Sequence, residues 1–432
     1  MAMEETLTIH KVIHGGKGLG SLNDGMVVMV PGCLPGEVVT VRETSVHRGY
    51  KEARLIRIEQ AAPERVIPPC PVYGLCGGCN LQHAHGAAQL RIKHQILRES
   101  LLRAGLDLAD SQPHPTLPAP IDFGYRHRIR LHIDAKGGLG FHQATSNTVV
   151  PIRRCLLATD PMNRILEALV DDLWPQRFTG RIREVELLHS PIDDRIILVL
   201  HPLPEAREAE LSDLAAALGP LTACVLARRG THHRHDRDQV KLGQHFRCLG
   251  LNYRLQWDPE CFFQVNATQN PRLIELALGA LAPLPPASTA LDLFCGMGNF
   301  SIPLALLGTR VTGIEHNRRS IRWATTNSRD NDLHATHFIA ADVAAHLNHL
   351  SKARKPVDCI LLDPPRQGLG KAAVLLADLR PQRIVAVSCD PATQARDLAR
   401  IINNGYRLVH ITGVDMFPQT HHIESVALLE RN

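Results

Sequence analysis

Cysteine is the residue type through which this sequence offers most chemistry. Eleven are spread along 432 residues. Cys389 sits at the hinge of Arg383-Ile-Val-Ala-Val-Ser-Cys-Asp-Pro-Ala-Thr393. The short apolar, β-branched run at 384–387 reads as a buried strand. Asp390 reads as an N-cap and Pro391 as the first residue of a helix through Leu398. A thiol at the carboxyl end of a strand lies where open parallel sheets bind ligands, and a helix N-terminus there favours thiolate. Cys389 is therefore either a nucleophile or a small buried hydrophobe.

A second group is Cys70-Pro-Val-Tyr-Gly-Leu-Cys76-Gly-Gly-Cys79, a C-x5-C-x2-C loop too glycine-rich to be core. Thiolates in this pattern suit zinc or an iron–sulfur cluster, and either needs a fourth ligand. Cys155 is the candidate, in Arg153-Arg154-Cys155 after an apparent strand and a proline. Zinc sites usually pair two short cysteine elements. One triplet plus a distant single cysteine favours [4Fe–4S], with zinc second.

The third group follows Ala290-Leu-Asp-Leu-Phe-Cys-Gly-Met-Gly-Asn-Phe-Ser301, a strand, glycine turn and helix. Gly296 and Gly298 allow close approach of a ligand, and Glu315 ends the next strand, where an acid binds a ribose diol. With no third glycine and a mid-chain position, the pattern argues against NAD. Tyr125-Arg-His-Arg-Ile-Arg-Leu-His-Ile133 alternates like a half-buried strand, placing Arg126, Arg128 and Arg130 on one face. Such a comb suits RNA phosphates or an extruded base, or is a solvated sheet face.

The elements that must position these groups fall into three parts. Residues 1–60 alternate short apolar runs (27–30, 38–41, 52–58) with glycine turns, the pattern of a small β-barrel of the kind that binds oligonucleotides. Arg42, Arg48, Lys51, Arg54 and Arg57 are available there for phosphates. Residues 61–260 read as a central α+β antiparallel domain. It has a helix at 89–104 able to pack on the last domain, a proline-rich connection at 113–120, strands at 139–141, 149–152, 184–188 and 196–200, and helices at 160–172 and 205–218. Arg228, Arg229 and His232 to His235 add a basic loop. From 261 to 432 strands and helices alternate, predicting an α/β doubly wound parallel sheet. Asp292, Phe294, Glu315, Asp342, Asp363 and Cys389 then fall at carboxyl ends of successive strands. If the last strand returns antiparallel, Glu424 joins the same rim.

A net charge of +5 with 24 histidines suits an acidic partner, while 4% aromatics argues against extended base-stacking platforms. No apolar run of membrane-spanning length occurs, and an odd cysteine count without a leader predicts reduced thiols and a cytoplasmic location. A monomer is expected.

The chain resembles, essentially end to end, the TRAM-containing uridine C5-methyltransferases of 23S ribosomal RNA. The likeness rests on Gly-Lys-Gly-Leu-Gly and Val-Pro-Gly-Cys-Leu-Pro-Gly-Glu in the barrel, the four cysteines, Phe262-Phe-Gln-Val-Asn, the glycine turn, Asp363-Pro-Pro-Arg, Ser388-Cys-Asp-Pro and His422-Ile-Glu-Ser. It implies a Rossmann-like S-adenosylmethionine domain, a [4Fe–4S] cluster on Cys70, Cys76, Cys79 and Cys155, and cofactor contacts from Gln264, Phe294, Asn299, Glu315, Asp342 and Asp363. Position 342 is often Asn in that family, so Asp here lacks an amide donor. Cys389 would add to uracil C6 and Glu424 would remove the C5 proton. Asp363 and Arg366 would meet the uracil edge, and Phe262, Phe263 and the arginine comb would hold the extruded nucleotide. Two other functions stay open: an amino-group RNA methyltransferase, for which Asp-Pro-Pro would need an aromatic where Arg366 stands, and a non-catalytic metal-containing RNA-binding protein.

Overall fold

The computed structural model describes residues 4–109, 111–172, 174–227, 240–285, 287–353 and 357–432. Arg228, Arg229 and His232 to His235 lie outside the described residues. Strands β1 (Glu4–Val12), β2 (Lys17–Ser21), β3 (Val27–Pro31), β4 (Val38–His47) and β5 (Tyr50–Gln60) close a five-stranded barrel in the order β1-β2-β3-β5-β4, with burial alternating along β2 and β3. Its core is Leu7, Ile9, Val28, Val30, Val39 and Val41, and Cys33 packs among them.

The cysteine loop follows, then α1 (Gly86–Arg103) and β6 (His114–Leu117). The central sheet takes β7 (Arg128–Ile133), β8 (Leu139–His142), β9 (Val149–Pro151), α2 (Asp160–Asp171), α3 (Trp174–Phe178), β10 (Ile182–His189), β11 (Ile196–Pro202), α4 (Glu208–Leu218) and β12 (Cys224–Ala227). Its order is β12-β11-β10-β7-β8-β9, antiparallel except between β11 and β12. A hairpin, β13 (Leu242–Cys248) and β14 (Leu251–Trp257), shares its core with the last part of the chain through Phe246, Leu255 and Trp257.

That last part runs α5 (Asn270–Leu281), β15 (Thr289–Leu293), α6 (Ser301–Leu306), β16 (Arg310–Glu315), α7 (Arg318–Asp330), β17 (Thr336–Ala340), α8 (Val343–Ala353), β18 (Cys359–Leu362), α9 (Ala372–Asp378), β19 (Arg383–Ser388), α10 (Pro391–Ile402), β20 (Tyr406–Val414) and β21 (Glu424–Arg431). The sheet order is β17-β16-β15-β18-β19-β21-β20-β6. Strands β15 to β19 are parallel, and β21 pairs antiparallel with β19 and β20. Strand order reverses between β15 and β18, the switch point at which such sheets open a crevice.

Two segments ahead of this domain in sequence belong to it in space. The connection expected at 113–120 instead contains β6, which extends the sheet by pairing parallel to β20. It is short, sits at an edge and contains Pro115, the setting in which a strand tolerates proline. Helix α1 buries Leu97 and Leu101 in the same core as Ile384, Leu398 and Leu429. No described helix is long and apolar enough to cross a membrane.

Candidate active site

Two strand ends build the site. Strand β19 stops at Ser388 because Asp390 turns the chain into α10, its Oδ1 accepting the Thr393 N–H at 2.8 Å. Beside it, β21 starts at Glu424, and the Ser388–Ser425 register places Cys389 opposite Glu424. Gln394 locks this pair of ends: its Nε2 donates to Ala386 O at 3.0 Å, and Ser425 Oγ donates to its Oε1 at 2.5 Å. Cys389 is half-buried, whereas Glu424 is 3% exposed with Oε2 lacking any partner among the described residues. Asp363 follows β18 on the same rim, tied back by its N–H to Leu293 O at 3.2 Å. Arg366, exposed, brings its guanidinium beside the Cys389 sulfur.

The electrostatics reverse one expectation. The Cys389 thiol is pushed up to about 11 by burial and then by the negative charges of Glu424 and Asp363, with Arg366 opposing. Burial and Asp363 hold the Glu424 carboxyl well above the usual range, again against Arg366. Burial also lifts Asp363 to about 7. Arg366 is thus the cation that favours the charged forms of both the thiol and the acid.

The adjoining crevice lies at the ends of β15, β16, β17 and β18. Phe294 takes φ +63°, a strained left-handed conformation for an aromatic residue, and leads into Gly296 and Gly298 at φ +54° and +95°. Asn299 exchanges amide hydrogen bonds with Asn270 at 2.8 and 3.2 Å. Gln264 is 6% exposed. Glu315 Oε1 accepts the Asn317 N–H at 2.7 Å, and Asp342 Oδ1 caps the start of α8 through Ala345 N–H at 2.8 Å. Among the described residues each of these acids accepts a hydrogen bond through one carboxylate oxygen. Beneath them Asp292, fully buried and hydrogen-bonded by Ser301, is pushed up to about 7 mainly by burial.

Cys70, Cys76, Cys79 and Cys155 line one cavity of about 80 Å³ with Arg126 and Phe141 among its walls. Gly78 N–H donates to Cys76 Sγ at 3.4 Å, and Asn163 fixes Cys155 by bonds of 2.9 and 3.0 Å to its N–H and C=O. Among the described residues no three Cys, His, Asp or Glu side chains converge tightly enough to hold a metal ion.

The arginine comb meets carboxylate and cavity within the protein, and the Phe pair divides between surface and core. Arg128 Nε donates to the buried Glu186 at 2.7 Å, and Arg130 reaches the same carboxylate at 3.3 Å. Arg126 lines the cysteine cavity, with its Nε buried and without a partner. Arg128 and Arg130 thus share one buried carboxylate, and Arg130 keeps an exposed side chain. Phe262 is 67% exposed, but Phe263 is 4% exposed, packing on Trp257 at 5.0 Å and beneath Arg128 at 5.9 Å. Sequence reading did not anticipate Asn270, a bridge to the glycine turn that carries no local signature.

The chain matches the tRNA (Uracil-5-)-methyltransferase family over residues 121–432 and the TRAM domain over residues 4–56. It is 36% identical to the 23S rRNA (uracil(1939)-C(5))-methyltransferase RlmD of Pseudomonas putida, over 99% of this chain and 94% of that one. It is 33% identical to the protein of the same name from Alcanivorax borkumensis, over 99% and 96%. The fold is similar to that of the Pyrococcus abyssi tRNA (uracil-54, C5)-methyltransferase, solved with S-adenosyl-L-homocysteine, at a TM-score of 0.72 and 24% identity, covering 98% and 99% of the two chains.

Proposed function

Because this chain belongs to the tRNA (Uracil-5-)-methyltransferase family, we propose that it methylates C5 of a uridine in 23S ribosomal RNA. The observation that carries the reading is the facing pair of strand ends, with Cys389 following β19 and Glu424 opening β21. S-adenosylmethionine supplies an electrophilic methyl group when bound in the crevice. Gln264, Phe294, Asn299, Glu315, Asp342 and Asp363 are the residues that would hold it.

Uracil C5 is too weak a nucleophile to take that methyl group unaided. Cys389 Sγ adds to C6, its proton passing to Asp363, and the C5–C6 π electrons move toward the C4 oxygen. Arg366, whose guanidinium lies beside Cys389, would stabilise the charge on that oxygen. C5 then takes the methyl group. Ionised Glu424 removes the C5 proton, and the electrons of that bond restore C5=C6 as the Cys389 thiolate leaves. A carboxyl with a raised pKa is a stronger base once ionised, which suits a carbon acid. Asp363, protonated by the thiol, is left able to donate to the uracil edge. An exposed Phe262 is available to stack on the base once it has left its helix. Arg366 directly after Asp-Pro-Pro, and a thiol facing an acid, have no use in amino-group methylation.

The cysteine cavity fits [4Fe–4S] better than zinc. A single zinc ion with Zn–S near 2.3 Å draws its thiolates within about 4 Å of one another. The reading is supported by the C-x5-C-x2-C spacing with a distant fourth cysteine, and by the one cavity that all four line. The group would fix the Cys70–Cys79 loop against Cys155 and take no part in bond making. Protein purified without oxygen should carry about four irons and four sulfides per chain, lost in Cys155→Ser; colorimetric iron and acid-labile sulfide assays read this.

The function is tested by mapping 5-methyluridine in 23S ribosomal RNA from cells with and without this protein. One uridine should lose its methyl group on deletion, regain it with the wild-type chain and remain unmethylated with Cys389→Ala. An unchanged map, or restoration by Cys389→Ala, overturns the proposal.

A further inference from the structure

Segment 415–423 joins β20 to β21 and delivers Glu424, yet it has no regular secondary structure of its own. Side chains from elsewhere hold it. Lys93 Nζ donates to Asp415 Oδ1 at 2.5 Å and to Phe417 O at 2.9 Å. Tyr125 Oη donates to Pro418 O at 3.0 Å, and Gln89 exchanges bonds of 2.9 and 3.0 Å with Gln419. Nearest to Glu424 along the chain is the contact made by Asn80, the residue after Cys79.

Asn80 is a junction of three parts of the molecule. Its Oδ1 accepts the His421 N–H at 2.8 Å, and its Nδ2 meets His421 Nδ1 at 2.7 Å. The same Nδ2 donates to Gly15 O, in the turn between β1 and β2, at 3.2 Å. Asn80 and Leu81 N–H both donate to Gln419 O, at 3.2 and 3.0 Å. The fit is close: a Cβ on Gly16, which has φ +77°, would lie 2.4 Å from Asn80 Nδ2. The neighbouring His14 reaches Asp390, beside the candidate nucleophile, at 3.5 Å.

We propose that Asn80 is a positioning residue for the proton-abstraction step, holding His421 so that Glu424 is aimed at C5 while the barrel is docked on the same side chain. This rests on the reading of Glu424 as the base. Addition of Cys389 and methyl transfer need no movement of segment 415–423, but removal of the C5 proton needs the carboxylate in place. Loosening the junction therefore slows resolution of the covalent RNA adduct and leaves its formation largely intact.

The test is single-turnover methylation of a 23S ribosomal RNA fragment with methyl-labelled S-adenosylmethionine, scoring product and protein–RNA adduct on denaturing gels. In Asn80→Ala, loss of the side-chain bonds should slow product release about tenfold and raise trapped adduct correspondingly. Iron content should stay at the wild-type value, and KM for RNA should change much less than kcat, while the melting temperature falls by the few degrees that lost hydrogen bonds cost. Asn80→Asp, which keeps the acceptor for His421 N–H, should fall between the two and decides the matter if the alanine variant folds poorly. Wild-type product and adduct levels in both variants overturn the proposal. So does a variant that loses iron, or one whose KM rises with kcat unchanged, because the residue would then serve the cysteine site or RNA docking. Glu424→Gln run in parallel separates the two ideas: normal turnover by it removes the base assignment itself, whatever Asn80 does.

Discussion

On the proposed reading Cys389 must be ionised to attack, and burial with two neighbouring acids opposes that. With its pKa pushed up to about 11, roughly one molecule in ten thousand carries the thiolate at pH 7. The sign is fixed by the cause: burial and carboxylates disfavour the anion, so reactivity must climb with pH. Iodoacetamide alkylation of Cys389 in the free protein, followed by peptide mapping, should rise about tenfold per pH unit from 7 to 10. A plateau near pH 8 would show that the dipole of α10 outweighs the two acids. The position of Cys389 between strand and helix was legible because an N-cap and a proline at the first helical residue are local signals. Its raised pKa was not, because its main cause is burial, which packing of the whole rim sets, with the charges of Glu424 and Asp363 adding to it. The same limit applies to Phe262 and Phe263, since two adjacent phenylalanines carry no mark of which one packs on Trp257. It applies to Asn80 as well, whose partners are Gly15 and His421.

At the scale of elements, the parallel strands were readable because burial on both faces makes them continuous apolar runs, as in Ile360-Leu361-Leu362 and Ile384 to Val387. Turn residues and caps then fixed where each run ended, which set the rim. Strand β6 escaped because His-Pro-Thr-Leu has neither alternation nor an apolar run, and only pairing with β20 makes it a strand. The arginine comb was legible as one strand face, but its acidic neighbour was not: the register sets Arg130 opposite Glu186, which comes from β10. Helix α1 is the case with a mechanical consequence. Its Leu101 is fully buried among residues from α9, α10 and β20, so the last domain completes its core with a helix that precedes the central sheet in sequence. Leu101→Ala should therefore destabilise the chain by about 2–5 kcal/mol, and urea unfolding followed through the last domain should show the loss. A variant altered only in the barrel or central sheet would mean that α1 is a tether and contributes little to that core.

Across the whole molecule, charge bookkeeping decides how RNA is held. A net charge of +5 suggests a basic surface, but most barrel cations are already matched. Arg42 pairs with Glu4 at 2.6 Å, Lys17 with Glu52 at 2.6 Å, Lys51 with Glu43 at 2.9 Å and Arg57 with Glu59 at 2.7 Å. Among the described residues Arg48 and Arg54 are exposed barrel arginines with no ion pair. Pairs this exposed add little stability, yet each one offsets a positive charge before a phosphate arrives. The turn between β1 and β2 also touches the rim, through Gly15 to Asn80 and His14 to Asp390, so on the proposed reading the barrel borders the approach to Cys389. RNA crossing the barrel should thus release few counterions there, and the free arginines should account for them. Filter-binding titrations over a salt series test this: each phosphate contact contributes about 0.9 to the slope of log affinity against log salt. Arg54→Ala should reduce that slope by about one and weaken binding to all RNA fragments alike. Arg57→Ala should leave the slope nearly unchanged, since Glu59 already occupies its guanidinium. Equal effects of the two substitutions would mean that the barrel's ion pairs open on RNA binding, and that the matched cations contact phosphate after all.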